Sequence, residues 1–199
     1  MKLTLDDIAD LRAYEREREE FRARIIELKR LRRVTVGPVV TLVFENRDTI
    51  RFQIQEMARA ERILTDEGIQ AELDVYNALI PEPGQLSATL FVELTSEEEM
   101  RHWLPRLVGI ERSVVVRARG TEVRCIPEED HEAQLTRDAI TASVHYVRFE
   151  FTPEQVEAFS TGPVQLAGDH PEYREETELS EVTRISLLGD LRGGAGVGS

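Results

Sequence analysis

A change of hydrophobic period in the first third of the chain constrains its fold most. Residues 39–44 are a β-branched and aromatic run, and apolar and polar residues alternate over residues 49–54. A period of two is typical of strands, so we predict a β-hairpin that turns at residues 45–48. Over residues 54–64 the apolar positions recur at helical spacing, which predicts a helix that ends at Gly68. A hairpin running directly into a helix is the expected centre of the fold.

The rest of the chain alternates between helical and extended patterns. Thr152 followed by Pro153 is a strong helix-start signal, because threonine caps a helix and proline suits its first turn. Hairpins outnumber regular strand-helix-strand crossovers, so we predict an α+β fold with a largely antiparallel sheet. The predicted helices cover residues 5–32, 69–79, 96–109, 154–159 and 179–191, and the further strands cover residues 86–94, 113–119, 121–126, 144–151 and 164–167.

The 199 residues suffice for one well-buried core, so we predict a single domain over residues 1–192. The long N-terminal helix and the C-terminal helix are expected to pack on the sheet. Residues 127–141 are acidic and weakly patterned, which predicts a short helix or a loop. The glycine-rich residues 193–199 predict a disordered tail.

Composition narrows the class of protein. A formal net charge of -13 argues against nucleic-acid binding, which needs a basic surface. The apolar runs are too short for a membrane span, and no signal-peptide core follows the first methionine, so a cytoplasmic location is expected. Neither the composition nor the hydrophobic pattern predicts an oligomeric state.

One basic segment runs against the acidic balance of the chain. Residues 22–33 carry six basic side chains against the single acid Glu27. They form a candidate docking surface for an acidic partner, and the loop around Pro83 is a second one. Alternatively, these cations only complement the dipole of a helix C-terminus. The six are Arg22, Arg24, Lys29, Arg30, Arg32 and Arg33.

Two Glu-x-x-His spacings are the candidate metal ligands. Glu99 with His102, and Glu128 with His131, each place a carboxylate and an imidazole three residues apart, as in di-iron carboxylate bundles. Chance explains the spacings nearly as well, because glutamate is abundant and strands intervene. The sequence predicts no cofactor bound by this chain alone. A single Cys125 excludes a cluster site with several thiolates from this chain and is expected to be a buried small residue, with a redox role as the alternative.

Polar residues near strand ends form a second candidate site. Its proposed catalytic groups are His145, His170, Tyr173 and Glu56, which can all transfer protons if they converge on one pocket. The alternative is that His170 and Tyr173 fix a turn and that His145 is exposed. Gln53, Gln55 and Glu56 follow one another beside apolar positions, so at least one must point inward. We expect Glu56 to meet a cation from Arg51, Arg59 or the first helix.

Motifs along nearly the whole chain resemble a bacterial family of unknown function. The resemblance implies no catalytic residues. It implies genes placed beside rubrerythrin-like proteins and iron–sulfur oxidoreductases of the glycerol-3-phosphate dehydrogenase C-subunit type, and therefore a role near peroxide or electron-transfer metabolism. The motifs are Tyr14, Phe21-Arg22, residues 29–38, Phe44-Glu45-Asn46-Arg47, residues 53–57, Glu61-Arg62-Ile63, residues 143–150 and Asp169-His170-Pro171-Glu172-Tyr173.

Two hypotheses for function follow. The first is a non-catalytic accessory or adaptor protein that docks onto an iron–sulfur oxidoreductase or a rubrerythrin-like protein through Arg22, Arg30, Arg33 or the polar residues at positions 53–56. The second is a small-molecule or metal-dependent enzyme with a pocket of histidine, tyrosine and glutamate.

Overall fold

The computed structural model describes residues 1–128 and 140–194. It is 45% helical and 26% strand with antiparallel sheets, which confirms the predicted α+β class. No helix among the described residues is both long and apolar enough to cross a membrane. The predictions for residues 129–139 and for the tail beyond residue 194 lie outside the described residues. The division into a domain of residues 1–192 and a tail stays a prediction.

The described residues include six α-helices and three short 3-10 turns. The 3-10 turn Leu5–Asp7 precedes the first α-helix, whereas Asn77–Leu79 and Ile110–Arg112 each lead from a helix toward the next strand. In chain order the α-helices are α1 Leu11–Leu31, α2 Arg47–Glu61, α3 Asp66–Tyr76, α4 Glu97–Trp103, α5 Pro153–Thr161 and α6 Glu181–Leu191.

The strands form two antiparallel sheets. The first sheet has the order β1-β2-β3-β7-β6 and the second has the order β5-β4-β8-β9. Each strand pair within residues 1–128 and 140–194 is antiparallel. The strands are β1 Arg33–Val36, β2 Val40–Glu45, β3 Gln85–Val92, β4 Val114–Ala118, β5 Thr121–Arg124, β6 Ile126–Pro127, β7 Val144–Glu150, β8 Val164–Gly168 and β9 Glu176–Glu178.

The first sheet is covered on both faces. One face packs against the second sheet and α6, where Phe44, Leu86 and Phe149 join the main core. The other face carries Tyr146, which packs with Ile50 of α2 in a smaller cluster beneath α2 and α3. Helix α1 then packs on α2 through an aromatic cluster of its own. The layers are therefore helix, helix, sheet and sheet.

The predicted hairpin at residues 45–48 is wrong, because α2 begins there. Asn46 is the N-cap, and its side chain accepts hydrogen bonds from the backbone N–H groups of Asp48 and Thr49, both at 3.0 Å. The Thr49 hydroxyl accepts the Asn46 N–H at 2.9 Å, which completes a capping box. Ile50 and Ile54 are four residues apart, a spacing that suits one helix face as well as an alternating strand. The local cap decides between the two.

Other boundaries move for similar reasons. The first α-helix starts after the N-cap Asp10, not at residue 5, and α4 ends before Pro105. Helix α2 ends at Glu61, with Arg62 as its C-cap in the left-handed conformation, and not at Gly68. Gly68 instead lies in the first turn of α3, and β9 follows the strand predicted as the last. The hairpin around Gly120, the Thr152 cap and the Ser180 cap of α6 are confirmed.

A buried arginine joins three elements. Arg32 follows α1, has 1% of its surface exposed, and donates to the carbonyls of Phe44 at 2.8 Å and Glu45 at 3.0 Å. It also donates to the Ser186 hydroxyl at 3.1 Å and forms an ion pair with Asp190 of α6. Burial raises the pKa of Asp190, and the Arg32 guanidinium opposes that rise. The end of α1, the end of β2 and helix α6 are thereby fixed to one another.

Replacing Gly37, in the turn between β1 and β2, tests how closely that turn is packed. Its φ is +68°, and a Cβ there would lie 2.6 Å from the Tyr173 hydroxyl and would overlap Glu175. We expect Gly37→Ala to lower the free energy of unfolding by about 2 to 4 kcal/mol, from backbone strain plus the clash. Urea unfolding measures the change. Gly120→Ala is the control: its φ is +78° with nothing within 4 Å, so it should cost only about 1 kcal/mol.

Candidate functional site

Glu56 on α2 is held by two side chains of α1. Arg18 donates to both carboxylate oxygens, from Nε at 2.8 Å and from Nη2 at 2.9 Å. The Tyr14 hydroxyl donates to Oε1 at 2.6 Å. The prediction that Glu56 meets a cation, with an arginine of the first helix among the candidates, is therefore confirmed. Arg51 and Arg59, the other candidates, form ion pairs with acids of α1 instead.

Electrostatics strengthen this contact. Arg18 lowers the pKa of Glu56 most, burial raises it, and the Tyr14 hydrogen bond lowers it further. Burial raises the pKa of Tyr14 well above its usual range, and the hydrogen bond to Glu56 adds to the rise. Tyr14 is therefore a neutral donor at physiological pH, and Glu56 an anionic acceptor. The group fixes the packing of α1 on α2.

The neighbouring glutamines differ in environment. Gln55 is fully buried and is bonded to the backbone of Ala9, since its Oε1 accepts the N–H at 2.7 Å and its Nε2 donates to the carbonyl at 3.1 Å. Gln55 therefore fixes the chain just before α1. Gln53 lies half-buried on the same helix. The expectation that one of the three polar residues points inward is met by Gln55.

Tyr173 fixes the turn between β1 and β2. Its hydroxyl donates to the Val36 carbonyl at 2.6 Å and accepts the N–H groups of Val39 at 3.1 Å and Val40 at 3.2 Å. Burial raises the pKa of Tyr173. His170 exchanges backbone hydrogen bonds with Tyr173. The turn is thus stabilised from a distant part of the chain.

The two candidate histidines are buried and bonded to backbone groups. The Nε2 of His170 lies 2.9 Å from the Val108 carbonyl, and its Nδ1 accepts the Glu172 N–H at 3.2 Å. The Nε2 of His145 lies 2.9 Å from the Thr141 hydroxyl and 3.0 Å from the Ala142 carbonyl. His145 is only 2% exposed, so the expectation of an exposed His145 is wrong. Its position on β7 turns it toward the main core.

The four proposed catalytic residues contact different parts of the fold. Glu56 lies between α1 and α2, the Tyr173 hydroxyl at the β1–β2 turn, and the His145 ring against residues 141–142. Only His170 and Tyr173 share a described hydrogen bond, and it is between backbone atoms. Their described hydrogen bonds therefore position backbone and helices.

The metal candidates have other partners too. Glu99 completes the cap of α4, accepting from the backbone of Thr95 and Ser96, while His102 lies 3.0 Å from Arg106. Glu128 forms an ion pair with Arg148. His131 lies outside the described residues. Among residues 1–128 and 140–194, no three His, Cys, Asp or Glu side chains form a metal-binding group.

Cys125 is confirmed as a buried small residue. Its thiol donates to the Glu111 carbonyl at 3.1 Å. Burial raises the pKa of Cys125 to about 12. Thiol reactivity requires the thiolate, so this group is unreactive in the folded protein at neutral pH.

The basic segment is partly neutralised. Arg32 is buried as described above, while Arg33 pairs with Glu93 and Arg30 with Glu27. Arg24 lies over the Phe21 ring, 5.5 Å from its centre. For Arg22 and Lys29 the described part of the chain provides no ion pair. Sequence patterns could not separate Arg32 from its exposed neighbours.

Exposed apolar side chains lie near the C-terminal end of α1 and on the adjoining helix α6. Ile26 and Leu31 of α1 are 48% and 37% exposed, and Val182 and Ile185 of α6 are 56% and 57% exposed. The Thr183 hydroxyl donates to the Leu31 carbonyl at 2.9 Å, which joins the two helices there. Arg22, Ile26 and Lys29 follow one face of α1 at helical spacing, while Leu31, Val182 and Ile185 lie where α1 meets α6; we call these two neighbouring groups together the α1–α6 surface.

Replacing Glu56 tests the contact between α1 and α2. Gln keeps the Tyr14 hydrogen bond but loses the ion pair with Arg18. The Glu56 and Arg18 side chains are each 28% exposed, so we expect Glu56→Gln to lower the free energy of unfolding by about 1 to 2 kcal/mol. The folded pKa is lowered, so this contribution is full above the ordinary carboxyl pKa of about 4.3 and is lost as pH falls below it. Thermal unfolding from pH 7 to pH 3 measures both effects. Glu27→Gln, from an exposed pair with Arg30, should change nothing measurable.

Replacing Tyr173 tests the turn. Tyr173→Phe leaves two N–H groups and one carbonyl without their partner, so we expect a loss of about 2 to 4 kcal/mol in urea unfolding. Tyr76→Phe should stay within about 0.5 kcal/mol, because no hydrogen bond to its hydroxyl is present among the described residues. Equal stability of the two variants would show that the hydroxyl does not hold the turn.

Comparison with known proteins agrees with the architecture. The chain is similar to the crystal structure of a novel protein of unknown function from Burkholderia pseudomallei, with 39% sequence identity and a TM-score of 0.88. That match covers 96% of this chain and 100% of the other. A search of curated proteins found no match. The family model described as Protein of unknown function (DUF3501) matches residues 2–191, and the chain belongs to that family.

Proposed function

We propose that this protein is a non-catalytic adaptor that docks onto a redox partner through the α1–α6 surface. The observation that carries the proposal is that the exposed Ile26 lies beside Arg22 and Lys29 on one face of α1, and that residues 1–128 and 140–194 provide no ion pair for these two cations. Protein interfaces combine an apolar centre with a polar rim, and arginine is common at such centres. A partner with an acidic, partly apolar face fits this chemistry.

The side chains suggested for catalysis support an adaptor better than an enzyme. Glu56, His170 and Tyr173 each make structural contacts that an enzyme would need to break or share with a substrate. Candidate general acids and bases are expected in a pocket within reach of one substrate atom. The contacts of these residues with separate elements instead suit a rigid binding module.

The class of partner rests on the family resemblance. That resemblance implies genes for iron–sulfur oxidoreductases and rubrerythrin-like proteins beside those of the family, which supports the proposal of a partner that carries the redox centre. The chain has one cysteine, and that thiol is buried with a raised pKa. A cluster or di-iron site would therefore be supplied by the partner.

Binding of the purified protein to each of these two partners tests the proposal. Under anaerobic conditions and low salt, we expect one partner to bind, with affinity falling as ionic strength rises. Arg22→Glu combined with Lys29→Glu should weaken binding at least about tenfold, and Ile26→Ser combined with Ile185→Ser should do the same. Calorimetry or biolayer interferometry measures both.

The controls change the same residue types elsewhere. Arg12→Glu on the exposed start of α1 and Leu64→Ser after α2, where Leu64 is 78% exposed, should bind as the unchanged protein does. Failure to bind either partner would contradict the proposal. A stoichiometric transition metal in the purified protein, by elemental analysis, would favour the enzyme hypothesis instead.

A further inference from the structure

A buried carboxylate with an unpaired oxygen lies on the helix-covered face of the first sheet. Glu45 ends β2 and is 6% exposed. Its Oε1 accepts a hydrogen bond from the Thr89 hydroxyl at 2.7 Å, while its Oε2 has no partner. A buried charge without a counter-charge is strongly unfavourable, so this carboxylate requires something to balance it.

A second unpaired oxygen lies beside it. Ser87 of β3 is 2% exposed, its hydroxyl also has no partner, and it is the direct cross-strand neighbour of Glu45. Directly opposed residues share one face, with Cβ atoms about 5 Å apart. Thr89, two residues beyond Ser87, lies on the same face. Three oxygen-bearing side chains are therefore grouped there, two of them with unused hydrogen-bonding capacity.

Two tyrosines border this group. Tyr146 of β7 is the cross-strand neighbour of Thr89, and it packs with Tyr76 on the cluster beneath α2 and α3. Both rings are half-buried. Burial raises the pKa of Tyr146 most, followed by Tyr76 and Glu45, which agrees with the cross-strand placement of Tyr146 close to the Glu45 carboxylate.

Arg148, the cationic side chain on the same face of the sheet, already has ion-pair partners. Arg148 is the cross-strand neighbour of Ser87 on the other side, but its guanidinium forms ion pairs with Glu128 and Glu150. No ion pair to Glu45 is present within residues 1–128 and 140–194. A counter-charge for an ionised Glu45 would therefore have to come from outside these side chains.

We propose that Glu45, Ser87 and Thr89 bind a monovalent metal cation such as Na⁺ or K⁺ between the first sheet and helices α2 and α3. Hard cations prefer carboxylate and hydroxyl oxygens, and this group offers oxygen ligands only. One carboxylate balances one positive charge, which favours a monovalent over a divalent ion. The site is independent of the α1–α6 surface, so neither proposal depends on the other.

Thermal unfolding at constant ionic strength tests the site. Tetramethylammonium chloride is replaced stepwise by NaCl, KCl, MgCl₂ or CaCl₂. A cation that binds only the folded state raises Tm with its concentration, by at least about 4 °C at saturation. We expect this rise with Na⁺ or K⁺ for the unchanged protein and for Glu20→Gln, which makes the same charge change on the exposed face of α1.

Variants of the site distinguish a bound ion from a general salt effect. Glu45→Gln should abolish the rise while being at least as stable in tetramethylammonium alone, because the neutral amide keeps the Thr89 hydrogen bond and removes the unpaired charge. Ser87→Ala should increase the concentration needed for the half-maximal rise. The proposal would be overturned if Na⁺ and K⁺ left the Tm of the unchanged protein the same, or if only divalent ions raised it. It would also be overturned if the Tm of Glu45→Gln still rose with Na⁺ or K⁺.

Discussion

The buried Arg32 guanidinium is the interaction on which the arrangement of the helices depends. A buried cation is tolerated only when its charge is balanced and its N–H groups are bonded. Arg32 meets both conditions, with two carbonyls at the end of β2, one hydroxyl and the Asp190 carboxylate. Because these partners come from a strand and from α6, the end of α1 is held in a position where each guanidinium nitrogen has a partner.

The carbonyls that accept from Arg32 belong to Phe44 and Glu45, where the two faces of the first sheet differ most. Phe44 turns into the apolar core shared with the second sheet, whereas Glu45 turns to the helix-covered face. Period-two alternation places such neighbours on opposite faces. The same strand end thus supports an apolar core on one side and a group of oxygen atoms on the other.

Local signals in the sequence predicted much of the fold. The Thr152 cap, the Ser180 cap and the hairpin around Gly120 depend on nearby residues, and the structure has all three. The strand prediction for residues 49–54 is wrong because Ile50 and Ile54, four residues apart, fit one helix face as well as an alternating strand. The capping box that decides between the two begins at Asn46, which was assigned to a turn. Periodicity alone does not separate these cases.

Some contacts of the candidate site could likewise be predicted from the sequence, and others could not. The cation beside Glu56 was predictable, because a polar side chain between apolar neighbours needs a partner and α1 is rich in arginine. Burial of Arg32 was not, since six basic residues in one segment look alike until tertiary packing selects one. Burial of His145 likewise depends on packing between the sheets, which no local pattern encodes.

The Arg32 ion pair also bears on how the chain folds during synthesis. Its two residues are 158 positions apart, so the contact belongs to the slowest class of loop closure and raises the contact order of the fold. While the ribosome is still adding the segments between them, the guanidinium has no carboxylate to balance it and must stay hydrated. Helix α1 can therefore form early on the ribosome, but its final docking on β2 waits until α6 has emerged.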